Sequence, residues 1–481
     1  MQDNVMDVVQ TIMAQNGAER LAPCGIKAIV IGTDVIPSVT QHVQELLAER
    51  GATTDRARVL VIVDRTPIMR LGAAVKPQVE QLLAEHFEVT TLVLDDGHPE
   101  LHASEEVVEQ AAAAAVGFDA VVTLGGGTIT DIGKMSSARV GNPPLVALQT
   151  AASVDGYTDD VSVLLKNGVK RTVPSRWPDV VIADTALIAE APVRMNRAGY
   201  GEINSMFVAP ADWLLAKELG FDDSFSRGPV ALLEEVGSDI DNWSPGLAEA
   251  EFDSVAQLVR ALAIRGVATG VAGSTALLSG VEHVVSHMLD IARGARHQSV
   301  GLHGAQVGVA SVIAAIIWED LIDHLDVAHL LGELPPPLDL TECEREVLQA
   351  FADLDETGAL ARECWRDYQQ KCRNWQENRE AVVALVRAWP QHREAFRSLV
   401  KSPAEIARGL QRAGSPLRFE DLDPVIEAPL GFWAVRNCGL MRNRLTAIDF
   451  LTFFGWWDDT VAASVIARAS AFAASGVGGR A

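Results

Sequence analysis

Two periods of apolar residues alternate along the first 190 positions. Lys27–Gly32, Arg58–Asp64, Val89–Leu94 and Ala120–Leu124 are short, nearly continuous apolar runs, the mark of strands buried on both faces. Between them, Pro37–Arg50, Pro77–His86 and Glu105–Val116 place apolar residues three and four apart, as one face of a helix requires. Leu145–Leu148 and Val180–Ala183 read as further strands. Strands alternating with helices predict a parallel sheet with helices on both faces. Beyond about residue 190 the strand signal fades. Val255–Val267, Val281–Ala292 and Val307–Ile316 have helical spacing. Asp222–Asp253, acidic and carrying Pro and Gly, reads as a loop or short helical excursion, and Leu334–Leu338 (LPPPL) as a break. The division is an α/β nucleotide-binding domain over 1–190 and an all-α domain over 191–481, with an extra charged, Trp-rich helical segment at 340–413.

Composition narrows the partners. Acidic residues outnumber basic ones 64 to 40, a formal charge of −24 that repels nucleic acid and anionic membranes. An anionic substrate then needs a locally positive pocket. The five cysteines, Cys24, Cys343, Cys364, Cys372 and Cys438, are odd in number and widely spaced, which fits a reducing compartment. The start, MQDNVMDVVQTIMAQNG, has no basic stretch before an apolar run, unlike a secretory leader. No uncharged apolar run reaches 18 residues, and the Ala-rich Val461–Ser475 is interrupted by Arg468. The expectation is a cytoplasmic protein without integral membrane association.

The sharpest local feature is VVTLGGGTITDIGK at Val121–Lys134: a strand runs into Gly125, Gly126 and Gly127, and a helix follows from near Thr128. Glycines admit close approach and positive φ, and a helix N-terminus offers N–H groups and a dipole to a pyrophosphate. The order differs from GxGxxG, and a plain tight turn is the competing reading. Asp64, at a strand end, suits a ribose hydroxyl or equally a helix cap or solvated turn. Lys134 fits either the phosphate site or a solvated helix face.

Four residues compose a metal-ligand set. His283 and His287 in VEHVVSHMLD share a helix face, His303 follows in a Gly-flanked turn, and Glu202 lies in AGYGEINS where Gly199 and Gly201 flank a turn. Two imidazoles and a carboxylate with open positions suit a catalytic divalent ion, a Lewis acid for a carbonyl. His283 and His303 are the preferred ligands; His287 is either a ligand or a substrate hydrogen-bonding group. His98, His102 and His297 lack such context and read as surface residues.

At this point the chain resembles a known family. GGGTITDIGK is similar to the GGG-x-x-x-D-x-x-K signature of the dehydroquinate synthase-like and iron-containing alcohol dehydrogenase superfamily, with Asp131 and Lys134 in its acid and lysine places. LQTAASVDG (148–156) resembles PTxASxDG, with Gln149 where Pro is usual. DVVIADTALIAEAP, AGYGE, SGVEHVVSHMLD and LHGAQVGVA follow in the family's order. MRNRLTAIDFLTFFG (441–455) is similar to the RxRxT stretch of the sn-glycerol-1-phosphate dehydrogenase branch. The blocks span residues 24 to 460.

The resemblance implies a dehydroquinate synthase-like fold with its active site in the cleft between two domains. It implies NAD or NADP, and one divalent metal held by Glu202, His283 and His303: zinc first, nickel or iron as alternatives. Asp155 would lie near the nicotinamide, where an Asx turn before Gly156 is the plain alternative, and Thr150 and Ser153 would line the nucleotide site. The family's first ligand is usually Asp, so Glu202 reaches one methylene further. The implied reaction is reduction of a small phosphorylated ketone, dihydroxyacetone phosphate, to sn-glycerol 1-phosphate for phospholipid metabolism. His287 or a water chain would deliver the proton, and Lys166, Lys170, Arg171 and Arg442 are candidates for the phosphate. A homo-oligomer is expected. The alternatives are a dehydrogenase of unphosphorylated polyols, a dehydroquinate synthase-like lyase that recycles its NAD⁺, and a silent nucleotide-binding homologue.

Overall fold

The structure is a computed structural model that describes residues 5–15, 21–51, 56–98, 100–166, 169–327, 330 and 336–474. The sequence divides into two compact units. One comprises the chain up to Gly199 together with Arg227–Gly273; the other comprises Tyr200–Ser226 and the chain from Ser274 onward. A single cut at residue 190 therefore misplaces 227–273. The reason lies in the helix Phe252–Ala272, which packs on the first unit's sheet rather than in the helical unit. Ala22 N donates to Val271 O (2.8 Å) and Thr158 Oγ1 to Ala263 O (2.8 Å).

Six strands form the sheet of the first unit: β1 Ala28–Gly32, β2 Arg58–Val63, β5 Glu88–Val93, β6 Ala120–Gly125, β7 Leu145–Gln149 and β10 Val180–Asp184. Their order is β1-β10-β7-β6-β2-β5 and every pairing is parallel. All six expected strands are present. Alternate residues enter opposite cores: Val59, Val61 and Val63 meet the helices Ser38–Glu49 and Val75–Ala84, whereas Leu60 and Ile62 meet Glu105–Ala115 and Gly127–Arg139. That is period two with both faces covered. After β2 the chain continues to β5 on one side, and after β6 to β7 on the other. The carboxyl ends of neighbouring β2 and β6 thus form a topological switch point, where open α/β sheets bind ligands.

Among the described residues this unit also has two short hairpins: β3 Met69–Arg70 with β4 Ala73–Ala74, and β8 Val161–Lys166 with β9 Val169–Pro174. Neither was anticipated. Lys166, Lys170 and Arg171 all lie on the second hairpin.

Among its described residues the second unit is helical. The helices Val281–Ala295 and His303–His324 pack together, and Ala209–Glu218, Pro403–Arg412 and Asp459–Ala474 surround them. Asp222–Asp253 is mostly helical rather than a loop, with helices at Arg227–Gly237 and Ile240–Trp243 and a 3₁₀ stretch at Ser244–Glu249. Among the described residues two helices, Phe252–Ala272 and His303–His324, are long and apolar enough to cross a membrane, but both are buried over most of their length, as core helices are. Leu334 and Pro335 of the LPPPL break, and Ser475 of the Ala-rich tail, lie outside the described residues.

The extra segment is built into the core of its unit. Trp389 and Trp318 both stack on Phe396 (5.1 and 5.2 Å), and Trp375 meets Phe453 (4.8 Å). Lys371, fully buried, donates to Gly439 O (2.6 Å), Arg444 O (3.0 Å) and Asp449 Oδ1 (2.7 Å), which pins the segment to the RxRxT stretch.

Candidate nucleotide turn and metal centre

Gly125 ends β6, Gly126 is the N-cap and Gly127 opens the helix Gly127–Arg139, one residue earlier than expected. None of the three has positive φ. Close approach is what requires them. A Cβ on Gly125 would stand 2.8 Å from Ile129, and one on Gly127 2.8 Å from Val154. At Gly126 the nearest atom is Tyr157 Oη at 4.0 Å, so that position is open. No side chain caps the helix. Its first N–H groups are therefore left for an acceptor outside the helix, a role that an anion fits. Thr128 is exposed on the first turn, and Thr150 N donates to Gly125 O (3.2 Å), so β7 delivers Thr150 beside the turn. Ser153 is half-buried in the stretch that follows.

Gly126→Ala should raise the Kd for NADH about tenfold or more while removing at most about 1 kcal/mol of capping. Gly125→Ala should do the reverse, costing about 1–3 kcal/mol of stability through the clash with Ile129. Nucleotide titration beside thermal melts checks both. Equal Kd values for Gly126→Ala and the parent would remove the turn from the nucleotide site.

The neighbouring acids are committed internally. Asp64 accepts from Thr66 N (3.1 Å) and Thr66 Oγ1 (2.9 Å) and pairs with Lys76 (3.1 Å), the turn reading of this residue. Asp131 accepts from Val163 N (3.2 Å), which fixes the β8–β9 hairpin. Lys134 is neither solvated nor turned to a phosphate. It is fully buried, donating to Gly156 O (2.7 Å), Asp159 Oδ1 (2.6 Å) and Val161 O, with Asp131 3.2 Å away. One lysine between two carboxylates in a dry site neutralises only one of them. Burial first, then the Asp131 charge, push the Asp159 pKa up to about 7 against the pull of Lys134.

Asp155 Oδ2 accepts from Arg265 Nε (3.2 Å) and Nη2 (3.1 Å). Arg265, fully buried on Phe252–Ala272, has no signature in the sequence; only its place beside the folded chain reveals it. Gly266 on the same helix lets the backbone at Asp155 approach, since a Cβ there would meet Asp155 O at 2.5 Å.

In the second unit Glu202, His283 and His303 bring their ligand atoms within 4.8 Å of one another. Gly201 is not in a turn: it lies within the helix Val193–Ile203, and a Cβ there would stand 2.2 Å from Gly304 O. This close packing is what sets Glu202 against His303, the first residue of His303–His324. The tautomers follow from the partners. Glu282 Oε1 accepts from Gly280 N (2.8 Å), and His283 Nδ1–H donates to the same oxygen (2.9 Å). Gln306 Nε2 donates to Val300 O (2.6 Å), leaving its Oε1 to accept from Ser286 Oγ (2.6 Å). The Ser286 oxygen is then the acceptor for His303 Nδ1–H (2.9 Å). Both Nε2 atoms therefore face Glu202, His283 within hydrogen-bond distance of Oε1 (3.2 Å) and His303 at 3.9 Å from Oε2. A carboxylate with two oriented imidazoles is a donor set that fits a divalent cation, with Glu282 and Ser286 as the outer partners that such ligands need. Burial opposes charge on His283, but the hydrogen bonds and charges of Glu202 and Glu282 outweigh it and hold its pKa at about 9.

His287 stands apart from that triad, its ring stacked on His303 at 5.3 Å. With Asp290 and His303 it forms a second group of donors. His98 and His102, read as surface residues, are exposed and half-buried, and they gather with Asp96, whose Oδ2 is 2.7 Å from His102 Nδ1.

The family model described as iron-containing alcohol dehydrogenase matches residues 34–192. A glycerol-1-phosphate dehydrogenase [NAD(P)+] from Haloquadratum walsbyi is 32% identical over 61% of this chain and 79% of its own length. The chain belongs to the glycerol-1-phosphate dehydrogenase family. A relative of the same name from Bacillus velezensis is 26% identical over 68% of this chain and 79% of its own. Like its family, the chain is an NAD(P)-dependent, metal-containing dehydrogenase. Its fold matches a probable glycerol dehydrogenase from Sinorhizobium meliloti (TM-score 0.59, 14% identity, covering 95% of this chain and 99% of that one). A glycerol dehydrogenase from Schizosaccharomyces pombe is similar in fold too (TM-score 0.58, 12% identity, 97% and 95%).

Behind the metal centre of this dehydrogenase, Asp212 accepts from Val281 N (2.9 Å) and Ala447 N (2.8 Å), at the first turns of two helices. Burial, then the charge of Glu282, push its pKa up to about 8. A group whose folded pKa is raised stabilises the protein below its unfolded pKa and loses that contribution as pH rises through the folded value. Between about pH 4 and 8 the parent should lose stability relative to Asp212→Asn, which mimics the protonated form. Denaturant midpoints at pH 5 and 8 check this; a constant difference between the two proteins would contradict it.

Proposed function

We propose that this chain reduces dihydroxyacetone phosphate to sn-glycerol 1-phosphate with NADH or NADPH, as a cytoplasmic homo-oligomer with zinc as its metal. The observation that carries the reading is the convergence of the His283 and His303 Nε2 atoms on Glu202. The relatives' name supplies the substrate.

The ion, when bound, polarises the ketone oxygen as a Lewis acid, and the nicotinamide supplies hydride. The chain's own residues do the rest. Gly126 and Gly127 cradle the pyrophosphate at the uncapped helix, with Thr128, Thr150 and Ser153 around it. Asp155, held by Arg265, orients the nicotinamide or a substrate hydroxyl. His287 carries the proton that the alkoxide needs. Lys166, Lys170, Arg171 and Arg442 are the candidates for the substrate phosphate. Asp64 and Asp131 act through the backbone they hold rather than on the nucleotide.

Oxidation of NADH and NADPH by zinc-reconstituted protein should occur with dihydroxyacetone phosphate and not with dihydroxyacetone, and should stop with chelator. Equal rates on both ketones would replace the substrate with an unphosphorylated polyol. Nucleotide held tightly without net consumption would indicate a lyase.

A further inference from the structure

We propose a second, overlapping metal position, built from His287, Asp290 and His303. It rests on the metal centre proposed above, with which it shares His303.

His283, His287 and Asp290 are four and three residues apart on Val281–Ala295 and form one row along the helix. All three are buried. His303 faces the row, its ring 5.1 Å from His283 and 5.3 Å from His287. Glu202 stands at one end of the row and Asp290 at the other. The ligand atoms of His287, Asp290 and His303 lie within 4.8 Å of one another, the same limit that the Glu202 set meets. The two sets are chemically alike, each a carboxylate with two imidazoles, which suits zinc, nickel or ferrous ion.

Asp290 is the unexpected member. It lies past the middle of its helix, where the dipole no longer favours an anion, and it is only 6% exposed. Beside His287 and His303 its carboxylate adds a hard oxygen donor to two nitrogen donors, the combination that a borderline divalent cation takes. Because His303 belongs to both sets, one ion at a time is held, and one carboxylate can replace the other while His303 keeps its place. The row gives the cation a holding position one helical turn from the catalytic one.

The test is Zn²⁺ affinity and stoichiometry by chelator competition, with every protein carrying His102→Ala so that the Asp96–His98–His102 loop adds no binding. Glu202→Gln keeps the side-chain shape and removes the anionic donor. It should still bind one zinc per chain, weaker by on the order of a hundredfold. Adding Asp290→Asn should weaken that remaining binding by a further tenfold or more. Asp290→Asn alone should stay within about threefold of the parent. In crystals of zinc-loaded Glu202→Gln protein, the anomalous peak should lie among His287, Asp290 and His303. Absence of zinc from folded Glu202→Gln protein would overturn the second position, as would identical affinity with and without Asp290→Asn. A parent without zinc would overturn the metal centre itself. Circular dichroism controls for folding, and His283→Gln, which disables the first set through its other member, provides the same comparison.

Discussion

His303→Ala should purify without tightly bound metal and turn over on the order of a thousandfold more slowly, or worse. Lewis-acid stabilisation of the developing alkoxide is worth several kcal/mol, and each 1.36 kcal/mol is a factor of ten. His303 is the severe choice because both donor sets use it. Losing Glu202 or Asp290 leaves one set complete; losing His303 leaves neither. NADH binding should stay within about threefold, since the glycine turn belongs to the other unit. Metal content by mass spectrometry, turnover and nucleotide titration on one preparation separate these effects. Full activity in a metal-free His303→Ala protein would end the metal-centred reading. Lost nucleotide binding would show that the variant had disturbed more than its own site.

The second large effect falls on stability. Lys134→Met should cost about 3–5 kcal/mol, because removing one partner of a buried ion pair strands the other. Here two carboxylates are stranded, Asp131 and Asp159, together with the carbonyls of Gly156 and Val161. Met matches the length of the Lys stem, so the loss is of charge and hydrogen bonds rather than volume. The melting temperature should fall on the order of 10 °C. Lys134→Met combined with Asp159→Asn should recover part of the loss, and that non-additivity identifies the pair as the cause. A melt within about 2 °C of the parent would mean that Lys134 does not hold this corner together.

How much of this was legible depended on distance along the chain. The six strands and their helices were readable because period two and period 3.6 are local properties of the residues. The β8–β9 hairpin was not, because its buried positions include Ser162 and its neighbours are charged, so alternation of burial is not alternation of polarity. The metal donors were readable from the four-residue spacing of His283 and His287 and from the family resemblance. Their supports were not. Ser286 meets His303 across 17 residues, and Arg265 reaches Asp155 across 110. Lys134 was misread for the same reason: its helix pattern is that of any surface lysine, and the residues that bury it come 22 to 27 positions later.

The interleaving of the two units also bears on how the protein is made. When the ribosome has released residues 1–199, all six strands exist, yet their unit still lacks Phe252–Ala272, whose Arg265 and Val271 meet the earlier chain at Asp155 and Ala22. At about 5–20 residues per second, the interval until residue 273 emerges is several seconds or more, and the sheet's flank stays uncovered throughout. A gene truncated near residue 199 would yield that half-covered intermediate permanently. Expressed alone it should be insoluble, whereas a chain joining 1–199 to 227–273 through a short linker should be the smallest soluble form of this unit.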